Sequence, residues 1–97
     1  MVVGALKVRL LIRESRSLKD KRQVVRSIKE RMHQSFGVAA AEVDSLEDHR
    51  VAVLGFAVVS NDHSHAQNVL DQVVGALRSH PVAEFLGMEV DVRTMDS

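Results

Sequence analysis

The chain contains no cysteine, no tryptophan and no tyrosine, a single proline and only three phenylalanines among its 97 residues. Without cysteine there is neither a disulfide nor a thiolate metal ligand, so the fold must be held by packing, and a reducing, cytoplasmic setting is expected. No apolar run approaches the ~18 residues of a membrane span, and the start lacks the pattern of a secretory signal, so no membrane contact is expected. Gly-x-Ser-x-Gly elbows and glycine-rich phosphate loops are also absent. With no cysteine nucleophile either, no catalytic residue, no cofactor and no enzymatic role is expected.

What is present is 45% apolar residues and a charge distribution that its zero sum conceals. Residues 1–33 carry ten lysines and arginines against three acids, a net charge of +7; residues 34–97 carry three against ten, a net charge of −7. Such asymmetry within one small domain points to an anionic partner for the first third, unless the two sets neutralise one another in the fold. The length suits one domain over residues 1–97, since chains usually divide only beyond ~250 residues.

Periodicity supplies the elements. From Val2 to Arg13, Leu6, Val8, Leu10 and Ile12 alternate with Lys7, Arg9, Leu11 and Arg13, the period of a half-buried strand. Ser17-Leu18-Lys19-Asp20 fits a capping box, and a helix follows to about Phe36, where Gly37 supplies the stop. On that helix Val24, Val25, Ile28, Met32 and Phe36 share one stripe. Val38–Asp44 and Val51–Ser60 are two strands joined by the polar turn Ser45-Leu46-Glu47-Asp48-His49. Asn61 or Asp62 caps a second helix running to about His80 before Pro81, with Ala66, Val69, Leu70, Val73, Val74 and Leu77 as its apolar stripe. Met88, Val90 and Val92 alternate with Glu89, Asp91 and Arg93 in a last strand. The order βαββαβ with right-handed crossovers predicts an α+β, ferredoxin-like sandwich, with one four-stranded antiparallel sheet and both helices on one face.

The early strand, the run Ser17-Leu18-Lys19-Asp20-Lys21-Arg22, then Phe36-Gly37-Val38, Ala41-Glu42-Val43-Asp44 and Ala57-Val58-Val59-Ser60-Asn61-Asp62 together resemble the YlxP-like family. These are small bacterial domains of unknown function. The resemblance implies a ferredoxin-like fold and a setting among transcription and translation factors, and it supplies no catalytic residues. Where that family often has tryptophan in the turn, this chain has Glu47-Asp48-His49, so no stacking role carries over.

The candidate site is the flank of the first helix. Lys19, Arg22, Arg26, Lys29 and His33 fall within an arc of roughly 80° beside the apolar stripe. Arg16, Lys19, Lys21 and Arg22 crowd the helix start, where the macrodipole already favours anions. Arg16, Lys19, Lys21, Arg22, Arg26 and Lys29 are therefore the candidate nucleic-acid-binding residues, and structured RNA or a ribosomal particle is the expected partner. With three phenylalanines and no aromatic-rich strand, binding would run through phosphates rather than stacked bases. An acidic protein partner and a small-anion site at the helix start, binding or hydrolytic, remain alternatives. On the first strand, Lys7 and Arg9 are expected to face Glu89 and Asp91 of the last strand and to be neutralised there.

Two further expectations concern other places. Val51–Val59 is apolar on both faces while helices cover only one, so a homo-oligomer packing sheet on sheet is expected, with Leu54, Phe56 and Val58 at its interface. His63 and His65 point about 200° apart on a helix, and no metal site is expected from them.

Overall fold

The computed structural model describes residues 1–95. The elements follow the expected order: β1 (Val2–Ile12), α1 (Leu18–Phe36), β2 (Ala39–Asp44), β3 (Val51–Ser60), α2 (His63–Arg78) and β4 (Ala83–Thr94). The strands form one antiparallel sheet in the order β2-β3-β1-β4, giving the ferredoxin-like α+β arrangement. Alternation in β1 sends Leu6, Val8, Leu10 and Ile12 under the helices, all at most 2% exposed, while Lys7, Arg9 and Arg13 stay in solvent. From above, α1 contributes Val25, Ile28 and Met32 to the core, and α2 contributes Ala66, Val69, Leu70, Val73 and Leu77.

The ends of both helices are settled by local chemistry. At α1, the Asp20 N–H donates to Ser17 Oγ at 3.1 Å, and the Asp20 carboxylate in turn accepts from the Arg16 N–H at 3.0 Å. The helix closes at Gly37, whose φ of 69° is left-handed and whose N–H donates to the His33 carbonyl at 2.9 Å. At α2, Asp62 is the cap, accepting from the His65 N–H at 3.2 Å, while Ser60 Oγ accepts from the Asp62 N–H at 3.0 Å. Ser60 and Asp62 thus hold the strand-to-helix turn.

Two β-bulges displace the simple alternation. In β4, Arg9 pairs with Gly87 but Leu10 with Phe85, leaving Leu86 as the extra residue. The phase of Met88, Val90 and Val92 therefore does not run back through Leu86; beyond the bulge Phe85, Glu84 and Ala83 pair with Leu10, Leu11 and Ile12, so β4 begins at Ala83 rather than near Met88. In β2, Glu42 pairs with Leu54 and Asp44 with Val53, so Val43 is the bulge.

β3 requires a correction. Leu54, Phe56 and Val58, expected at a sheet-face interface, are at most 9% exposed and lie under the helices within the core. The face away from the helices carries the alternate set, of which Gly55 and Ala57 are half-buried and Val59 exposed while Val53 is buried. When both sets are apolar, period two cannot say which one meets the helices, and burial by α1 and α2 decides it.

Candidate nucleic-acid interface

Most cations on the strands and at their ends have acidic partners. Lys7 and Glu89 lie opposite each other in the β1–β4 register, with Nζ and Oε2 3.6 Å apart, and Arg13 stands 3.6 Å from Glu84. Arg9 faces Gly87 instead of an acid, and Asp91 pairs with Arg93 of its own strand at 2.7 Å. All three pairs are solvent-exposed and contribute at most about 1 kcal/mol each, but they do quench the local field.

Along α1 the situation differs. Arg16, Lys19, Arg22 and Arg26 are exposed and Lys29 is half-buried. Among the described residues none of the five forms an ion pair. Their common face continues into a shallow cleft of about 310 Å³ between α1 and β2, lined by Arg26, Lys29, Glu30, His33 and Ala40. His33 Nδ1 lies 2.9 Å from the Val38 carbonyl, which can only accept, so Nδ1 carries the proton and Nε2 is left free.

Lys21 leaves this set. Its side chain is fully buried, with Nζ 2.8 Å from Glu42 Oε2 on β2 and donating to the Ser45 carbonyl at 2.7 Å in the β2–β3 turn. Burial rules out contact with an external phosphate. The contact to Glu42 meets the distance of a hydrogen bond but not its angles, so it is a close ion pair rather than a well-aligned bond. The sequence does carry a signal for this. At about 100° per residue, Lys21 falls within about 20° of Ile28 and Met32, at the centre of the apolar stripe. A cation there must be buried with a counter-charge, and Glu42, whose pairing with Leu54 turns it toward the helices, supplies one.

The helix start is also less open to a small anion than its cations imply. The carboxylate of Asp20 already occupies the N-terminal turn, accepting from Arg16, and the Lys21 N–H is bonded to the Ser17 carbonyl at 3.1 Å. Among the described residues no aromatic platform lies on the uncovered face of the sheet: Phe56 and Phe85 turn toward the helices, and Phe36 packs at the end of α1. The Arg78 guanidinium covers the Phe85 ring at 4.2 Å. His63 and His65 are both exposed at the start of α2, and among the described residues no three His, Asp or Glu side chains converge on a point that would hold a metal.

Two groups have displaced acidities. The N–H groups of Arg50 and Val51 donate to Asp48 at 2.8 and 3.0 Å and hold its carboxyl below the usual carboxylate range. Partial burial, with a smaller contribution from the nearby Arg31 charge, pulls the His80 imidazole below its ordinary value, and its Nδ1 accepts from the Val82 N–H.

A family profile described as "Protein of unknown function (DUF503)" matches residues 3–90. The chain belongs to the DUF503 family. No curated protein matches its sequence significantly. Among solved structures, the de novo designed protein Foldit4 superposes with a TM-score of 0.55 at 15% identity, covering 99% of this chain and all of the other. The de novo designed protein Ferredog-Diesel gives a TM-score of 0.42 at 11% identity over 95% of this chain and 84% of that one. The likeness to Foldit4 speaks to the fold alone. DUF503 membership carries a small domain with no assigned chemistry, so the α1 face must be argued from its own residues. Among the described residues of this DUF503 chain, no helix is long and apolar enough to cross a membrane.

Proposed function

We propose that this DUF503 protein is an accessory factor that binds structured RNA through the outer face of α1. The observation that carries the reading is the contiguous set Arg16, Lys19, Arg22, Arg26 and Lys29, unpaired among the described residues, whereas along β1 and its end Lys7 and Arg13 have acidic neighbours and Arg9 alone has none. Helical rise puts Lys19 and Lys29 about 15 Å apart, enough to follow several phosphates. The lack of an aromatic on the open sheet favours phosphate contact over base stacking. The resemblance to YlxP-like domains, which implies a setting among translation factors, supports a ribosomal particle as the place where such RNA is met.

The test is fluorescence anisotropy of a labelled, structured ribosomal RNA fragment at several salt concentrations. Five phosphate contacts imply a log–log slope of about −4. Arg22/Arg26/Lys29→Glu, whose side chains lie off the core stripe, is expected to keep its circular dichroism spectrum and lose measurable binding. Absence of saturable binding at low salt overturns the reading. So does a folded triple variant that binds as tightly as the parent.

A further inference from the structure

The uncovered face of the sheet is half apolar and half charged, and the strand register orders it in rows. One row runs Ala41, Gly55, Lys7, Glu89 across β2, β3, β1 and β4; the next runs Ala39, Ala57, Ala5, Asp91; the third runs Val59, Val3, Arg93. The alanines and Gly55 floor a trough of about 650 Å³, with Val43 at one side and Lys7, Glu89 and Asp91 at the other. Val43 leans over Gly55 so closely that a Cβ there would meet it at 2.9 Å. Val59 projects from the far end and is 65% exposed; Val43 is 49% exposed.

We infer that this face binds a second copy of the chain, about a two-fold axis that runs between the two sheets, parallel to them and directly over the Ala39–Ala57–Ala5–Asp91 row. That operation exchanges the rows on either side. Val59 of one copy then enters the trough of the other above Gly55 and beside Val43, so two exposed apolar side chains of the face cover each other. The same operation sets Arg93 against Glu89 of the other copy. Both matches repeat symmetrically, as an isologous interface requires. Asp91 lies on the axis opposite its own counterpart and is the unfavourable contact, offset by the Arg93 that pairs with it at 2.7 Å. The small side chains of the floor let the sheets approach closely. Strand spacing and rise give a face of about 19 Å by 26 Å, roughly 500 Å² per copy, at the low end for a specific interface, so the dimer constant is expected in the micromolar range. This inference is independent of RNA binding by α1, which points away from the axis on the outer side of each copy.

Sedimentation velocity from micromolar to submillimolar protein tests it. A reversible dimer is expected. Val59→Asp, on an exposed side chain, is expected to stay folded and weaken association about a hundredfold, because it places a charge in an apolar trough. Glu89→Arg and Arg93→Glu are each expected to weaken the dimer, and their combination to restore it. A parent that stays monomeric throughout, leaving the face to some other partner, overturns the inference. So does a dimer untouched by Val59→Asp, or a double charge swap no better than either single change.

Discussion

Removing the Lys21 ammonium while keeping its stem, as in Lys21→Met, isolates the interaction that ties α1 to the β2–β3 turn. Lys21 is fully buried, and its two oxygen neighbours are Glu42 Oε2 and the carbonyl of Ser45, a residue held at a left-handed φ of 55°. Breaking a buried pair from one side typically costs 3–5 kcal/mol, because the remaining charge has nothing to offset its desolvation. The Glu42 side chain is 15% exposed, so water can reach part of the carboxylate and the cost belongs at the low end, about 3 kcal/mol. For a chain of this length the unfolding entropy near the midpoint is about 0.2 kcal/mol/K, which converts that cost to a fall in Tm of roughly 15 °C. Lys21→Met/Glu42→Leu removes both charges together and is expected to recover most of the loss, since a buried pair replaced by apolar side chains is often near neutral. Thermal and urea unfolding followed by circular dichroism on the parent, both single variants and the double variant closes the cycle. A Lys21→Met protein melting within about 3 °C of the parent refutes the argument. A double variant as unstable as the two single losses added together also refutes it, since the residues would then act independently.

Two further outcomes rest on backbone and titration. Gly37→Ala meets no atom within 4 Å of the new Cβ, so its cost is the left-handed φ alone, about 1–2 kcal/mol, measured as a lower urea midpoint with unchanged m. His80 is held below its ordinary acidity range by burial and Arg31, and its neutral Nδ1 accepts from Val82. Its contribution is therefore intact above the unfolded value near 6.5 and is lost as pH falls through the depressed folded value. His80→Gln is expected to flatten the pH dependence of Tm below pH 6.5; an unchanged slope there assigns the acid sensitivity to other groups.

The element order, both caps and the Gly37 stop follow from local rules that leave a mark in the chain itself: period two, period 3.6, Ser17 with Asp20, and a residue that tolerates positive φ. The exposed cationic flank of α1 follows from the same helical phase, because an amphipathic helix has only one face to bury. What local rules could not decide was which of two apolar sets on β3 meets the helices; packing assigned Leu54, Phe56 and Val58 to the core and left Val59 in solvent. Nor do they specify pairing between distant residues. Helical phase already places Lys21 in the buried stripe, but that its counter-charge is Glu42, turned toward α1 beside the bulge at Val43, is settled only by the fold. Charge and periodicity are properties of neighbours along the chain, whereas desolvation and register depend on what the fold brings across from another element.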